Sequence, residues 1–136
     1  MYKTILVAAD LAKPAEARKL LEQAQKLCAP EGTIRLLHLL RGHVTAAQRA
    51  SAMAGLLSLS DETDPRVMPI LREGAVAPQI NALAKADKAD LVMLDSRLPG
   101  VTEFFMETTA TKLTRHSSIS VLVARNAHSE RTAQHV

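Results

Sequence analysis

Apolar residues in this chain fall into two kinds of run. The first kind is nearly continuous and of strand length: Lys3–Ala9 (KTILVAA), Thr33–Leu40 (TIRLLHLL), Ala89–Leu94 (ADLVML) and Ile119–Val123 (ISVLV). Runs without polar alternation suit strands covered on both faces, as in a parallel sheet. Arg66–Leu71 (RVMPIL) is a weaker member of the set. Pro69 within it cannot donate to a ladder, which calls for an edge position or a bulge. Arg35 interrupts the second run, so that strand is expected nearer an edge or with one end in solvent.

The second kind of run has helical spacing. Pro14 suits a first helical position, and Ala17, Leu20, Leu21, Ala24, Leu27 and Cys28 follow on one face. Pro30 and Gly32 are expected to stop that helix. Thr45 followed by Gln48 fits a capping box. It opens a helix over Ala46–Ser60 in which Ala47, Ala50, Met53 or Ala54, and Leu57 share a face. Gly55 weakens this helix by roughly 1 kcal/mol. A short helix begins near Pro78 or slightly before and continues over Gln79–Ala86, and an amphipathic one covers about Thr102–His116.

Strands and helices thus alternate strictly, which predicts an α/β fold: an open five-stranded parallel sheet with helices on both faces. The most apolar strands are the first, fourth and fifth. Strand order 3-2-1-4-5 satisfies the pattern and puts the switch point between strands one and four. Ligands of such sheets bind in the crevice beyond the carboxyl ends of the strands. Asp10 and the loop Asp95–Gly100 flank that crevice. One domain over residues 1–126 is expected, with a polar, fraying tail over 127–136.

Composition narrows the function classes. The 136 residues are 47% hydrophobic and 23% charged, as in an ordinary soluble globular protein. No apolar run has the length of a membrane span, and Asp10 interrupts the N-terminal run before any signal-peptide cleavage site. Cys28 is the only cysteine, so a buried, inert thiol in a reducing cytoplasm is expected. A net charge of +3 with scattered basic residues, and only Tyr2, Phe104 and Phe105 as aromatics, argue against nucleic acid. His38, His43 and His116 lie on different elements without i, i+4 spacing, so no metal is expected. Ser96, Ser117 and Ser118 look like turn residues with no nearby base, so no catalytic residue and no enzyme activity are expected. A phosphorelay receiver is excluded by Arg72–Glu73 and Arg125 at the ends of the third and last strands. Asp10 and Asp95 are either ligands for a cation, hydroxyl or amine, or caps of the following turns.

Several segments resemble the universal stress proteins. Lys3–Asp10 (KTILVAAD) is similar to that family's opening strand, Leu36–Leu40 (LLHLL) to the end of its second, and Leu71–Gly74 (LREG) to a strand exit. Ala89–Arg97 (ADLVMLDSR) and Ala110–Arg125 (ATKLTRHSSISVLVAR) resemble its last two strands and their surroundings. The resemblance implies a Rossmann-like sheet of the adenine nucleotide alpha hydrolase type. Nucleotide-binding members carry Gly, two residues, Gly, nine residues, then Gly with Ser or Thr. Laid on this chain, those glycines fall at Leu94, Arg97 and Glu107, and only the hydroxyl survives, as Thr108. Gly100 lies three residues late. Bare backbone that approaches phosphates is replaced by side chains, one of them negative. ATP binding is therefore expected to be lost or much weakened, with no cofactor. The alternative is an ATP or AMP sensor, with Mg, using Asp10, Arg97, Thr108 and Thr109, and at most slow hydrolysis. A regulatory accessory of a transporter is a further possibility that the family raises. The apolar last strand is a liability at a sheet edge unless paired. The family resemblance and the closure of two-fold contacts both point to a homodimer through Ile119, Val121, Leu122 and Val123. The expected role is a stress-response module acting through that dimer and protein partners whose identity the sequence does not carry.

Overall fold

A computed structural model describes residues 1–60, 63–101, 104 and 119–124. The elements are β1 (Tyr2–Ala8), α1 (Pro14–Leu27), β2 (Cys28–Leu40), α2 (Ala46–Leu59), β3 (Val67–Glu73), α3 (Val76–Ala86), β4 (Leu91–Asp95) and β5 (Ser120–Ala124). The five strands form one parallel sheet in the order β3-β2-β1-β4-β5, as expected from the pattern. The expected helix over Thr102–His116, apart from buried Phe104, and the tail over 127–136 lie outside the described residues. Among the described residues, no helix is long and apolar enough to cross a membrane.

β1 is central. Ile5 is in register with Ile34 of β2 on one side and Leu91 of β4 on the other. Its side chains alternate between two cores. Ile5 and Val7 join Leu20, Leu21 and Ala24 of α1 and Leu56 and Leu59 of α2. Leu6 and Ala8 join Val76, Ile80 and Leu83 of α3, with Phe104. Helices therefore cover both faces of the sheet. Pro69 sits in β3, the edge strand, where a residue without a backbone donor is tolerated. Arg35, between two strands in β2, reaches Asp87 at 3.3 Å.

Two expectations change. α1 ends at Leu27, and β2 begins at once at Cys28, running through Pro30 and Gly32. The register jumps from Tyr2↔Cys28 to Thr4↔Thr33, so Pro30 and Gly32 belong to a bulge rather than to a helix stop. A side chain at Gly32 would meet the Lys3 carbonyl oxygen at 2.6 Å and Cys28 Sγ at 2.7 Å. Only glycine lets the bulge close over the buried thiol. Burial pushes that thiol up from its usual range. The second change is in α2. Its capping box forms as expected, with Thr45 Oγ1 accepting from the Gln48 N–H at 3.1 Å and Gln48 Oε1 from the Thr45 N–H at 2.8 Å. Yet Leu56 and Leu59 are its buried side chains, while Ala47, Ala50, Met53, Ala54 and Leu57 face outward. The helix carries apolar residues nearly all round, so periodicity alone does not select the face.

An ionic clamp ties the lower edge of this half. The Arg66 guanidinium donates to the Gln25, Cys28 and Ala29 carbonyls at 3.2, 3.0 and 3.3 Å, which closes the end of α1 and the start of β2. It also binds both carboxylate oxygens of Asp64, the closest contact being 2.7 Å. Asp64 accepts further from the Arg66 N–H and from Gln25 Nε2. The Arg66 hydrogen bonds, opposed by burial, hold the Asp64 carboxyl at about 2 instead of 3.8. On the other side of β1, Asp90 accepts from the Lys3 and Thr4 N–H groups, each at 2.9 Å. Burial opposes the ionised form of Asp90, but those two donors outweigh it and hold its carboxyl below the usual range.

A depressed folded-state carboxyl stabilises the fold above its unfolded value and loses that contribution as pH falls. Asp64 should therefore stabilise the protein fully above about pH 4 and progressively less toward pH 2. Asp64→Asn should lose on the order of 2 kcal/mol at neutral pH, with a flatter acid limb, in urea denaturation across pH.

Candidate functional site

The site follows from the topology. β1 is flanked by β2 on one side and β4 on the other, so the loops leaving β1 and β4 diverge and a crevice opens at the carboxyl ends of the strands. A cleft of about 290 Å³ lies there. Ala8, Ala9 and Asp10 from the end of β1, Leu37 to Leu39 and Arg41 from the end of β2, Val76 from α3, and Leu98 and Pro99 from the β4 loop line it. Its walls are mostly apolar. The sequence places Asp10 and the Asp95–Gly100 loop on one crevice, and the structure does bring them together.

Both aspartates serve as turn caps. Asp10 Oδ1 accepts from the Ala12 N–H at 3.0 Å, and its carbonyl accepts from the Lys13 N–H at 3.1 Å. This turn feeds the chain into Pro14 and α1. Asp95 Oδ1 accepts from the Arg97 N–H at 2.8 Å, and its carbonyl accepts from the Leu98 N–H at 3.0 Å. Such side-chain turns are the common role of Asp just beyond a strand. His38 Nδ1 lies 3.1 Å from the Ala9 carbonyl oxygen. A carbonyl only accepts, so Nδ1 carries the proton.

The loop after β4 keeps its backbone donors for itself. The Ser96 N–H donates to the Ala124 carbonyl at 2.9 Å, and the Val101 N–H to the Leu98 carbonyl at 3.2 Å. With the N–H groups of Arg97 and Leu98 engaged as above and Pro99 having none, Gly100 alone keeps an N–H without a partner among the described residues. A phosphate cradle needs several convergent free N–H groups. Leu94 is fully buried in β4 and packs into the core shared with α3. The Arg97 side chain does not line the cleft. Its Nη2 binds Glu16 on the first turn of α1, at 2.7 and 3.0 Å. Glu16 is 81 positions away, and no local pattern marks the pair. Arg41 and His38 are likewise cleft residues that motif spacing does not single out.

Gly100 has a structural purpose. It adopts φ +91°, and a side chain there would meet Cβ of Val76 at 2.8 Å. The glycine lets the loop press against the start of α3. Thr108, Thr109 and Glu107 lie outside the described residues. Of the expected dimer residues, Ile119 and Val121 are half-buried against the α3-side core, Leu122 is half-buried against the α1-side core, and Val123 is exposed. Among the described residues, no three His, Cys, Asp or Glu side chains are grouped to hold a metal.

The loop makes two contrasting predictions for urea denaturation. Gly100→Ala should destabilise by about 1–3 kcal/mol, since it meets both a left-handed backbone and a hard contact. Glu16→Gln should cost less than about 1 kcal/mol, since its partner is nearly half exposed and water screens the pair.

Comparison with known proteins agrees with this architecture. The universal stress protein family model matches residues 1–125. Universal stress protein G of Salmonella typhimurium is 29% identical over 146 aligned residues, covering 92% of this chain and all of that protein. The same protein of Escherichia coli O157:H7 is 28% identical with the same coverage. Among solved structures, a universal stress protein in complex with cAMP superposes with a TM-score of 0.63 at 17% identity, covering 93% of this chain and 98% of that one. A universal stress protein from Archaeoglobus fulgidus superposes with a TM-score of 0.59 at 21% identity, covering 94% of this chain and 45% of that one. At these identities the structural likeness speaks for the fold alone. The family model, spanning nearly the whole chain, shows that this protein belongs to the universal stress protein family.

Proposed function

We propose that this protein is a stress-response module that works as a homodimer through protein contacts and does not use ATP. One observation carries the reading. The loop at the expected phosphate position has its N–H groups, that of Gly100 excepted, engaged within the chain and its arginine engaged by Glu16. A triphosphate would have to break those bonds and would meet Asp10 at the crevice. The apolar cleft, at about 290 Å³, stands at the small end of ligand cavities. The dimer reading draws on the topology: β5 is an edge strand with Val123 37% exposed, and an apolar edge calls for a partner.

A second reading has one observation in its favour. Asp10 lines a cleft at the switch point, and a solved relative of the same fold holds cAMP. On that reading an adenine nucleotide enters base first, with its phosphates outside the loop.

Calorimetry with ATP and Mg²⁺ separates the two. No measurable heat up to millimolar ATP is expected, and micromolar binding would overturn the first reading. For the dimer, Val123→Lys places a charge on the exposed edge without touching the core, so a fall from dimer to monomer mass in light scattering is expected. A dimer mass that survives this change sinks the β5 interface.

A further inference from the structure

α2 has two apolar faces, and the fold uses one. Leu56 and Leu59 are buried against the sheet, with Ala52 half-buried on the same side. Ala50, Met53, Ala54 and Leu57 are exposed, Met53 by 36% and Leu57 by 52%. Their i, i+3, i+4, i+7 spacing is that of a helix packing seam. Water is a poor neighbour for such a seam.

Charge narrows what could cover it. The only charged residue on α2 is Arg49, and Glu73 of β3 neutralises it. Among the residues of α2, no cation is left over for nucleic acid phosphates or anionic lipid headgroups, and no charge for a charged peptide. A neutral apolar surface of matching relief is what fits. The four residues themselves supply one. Read forward they are Ala, Met, Ala, Leu; read backward, Leu, Ala, Met, Ala. A second copy laid antiparallel about a two-fold axis between positions 53 and 54 sets Leu57 against Ala50 and Met53 against Ala54. Each large side chain then meets a small one, twice over, and the opposed helix dipoles align favourably. A two-fold contact of this kind closes on itself.

We propose that the outer face of α2 pairs antiparallel with α2 of a second copy of this chain. The helix has 14 residues, hence a length of about 21 Å. A contact centred on one such helix falls in the small, transient class of interfaces, so the association should be concentration-dependent. α2 covers β2 and β3, at the sheet edge opposite β5. The two surfaces do not compete, and this pairing stands whether or not β5 forms a dimer.

Sedimentation velocity from micromolar to near-millimolar protein tests it. The wild type should gain mass at high concentration: from monomer to dimer if β5 is unpaired, and beyond the dimer if β5 also pairs, since two two-fold contacts per copy link dimers together. Ala54→Glu sets a carboxylate beside its own copy near the axis and should weaken that step more than roughly tenfold, with an unchanged thermal melt because the site is exposed. Val123→Lys should retain a concentration-dependent step, now from monomer to dimer. A wild type with no concentration-dependent gain, or a folded Ala54→Glu variant that gains mass like the wild type, overturns the proposal. Orientation is read by oxidative cross-linking. Mixed Ala50→Cys and Leu57→Cys proteins should link to each other faster than either links to itself, while Cys28 stays buried. Faster self-linking of Ala50→Cys would overturn the antiparallel register.

Discussion

From Ile5 to Ala8, strand β1 has no solvent face, and the rest of the molecule follows from that constraint. Ile5, Leu6, Val7 and Ala8 are all buried, alternately into two separate cores. A strand of this kind is stable only when another layer covers each side and a strand pairs with each edge. α1 and α2 cover one side, α3 the other, and β2 and β4 supply the edges. Once β1 is flanked by strands that leave in opposite directions, the crevice at its carboxyl end is unavoidable. Asp10 lies there because it is the first polar residue after the buried run.

The proposed loss of ATP binding would keep the crevice in place while changing its chemistry. The loop after β4 still reaches the cleft, through Leu98 and Pro99. Its hydrogen-bonding capacity is spent elsewhere, on Asp95, on Ala124 and on its own turn. The Arg97 side chain bridges to α1 rather than projecting into the opening. Gly100 remains a glycine because Val76 stands 2.8 Å from where its Cβ would be. A loop pinned in this way is a structural joint between α1, α3 and β5. Leu94 and Arg97, where the family resemblance expects glycines, are themselves built into the core and into an ion pair.

The Arg66 clamp does comparable work at the opposite end of the sheet. Three carbonyls at the α1–β2 junction would otherwise need water or other donors. One guanidinium, held by Asp64, satisfies all three. This lets the chain pass from helix to strand with no intervening loop, through a bulge that buries Cys28.

By itself, the sequence determined the number of strands, their parallel arrangement and order, the capping box at Thr45 and the place of the crevice. Those features rest on local signals: continuous apolar runs, cap residues and the position of Pro69. Tertiary structure decided the matters that depend on distant partners. The helix-to-strand boundary at Cys28 was illegible because Pro30 and Gly32 read as a helix stop, and only the Lys3 carbonyl and Cys28 Sγ reveal a bulge. The buried face of α2 was illegible because apolar residues surround the helix, and contact with the sheet selects Leu56 and Leu59. The pairing of Arg97 with Glu16 spans 81 positions and leaves no periodic trace. Local patterns set which elements form; packing among distant residues sets which faces meet, and with them which side chains remain for a ligand or a partner.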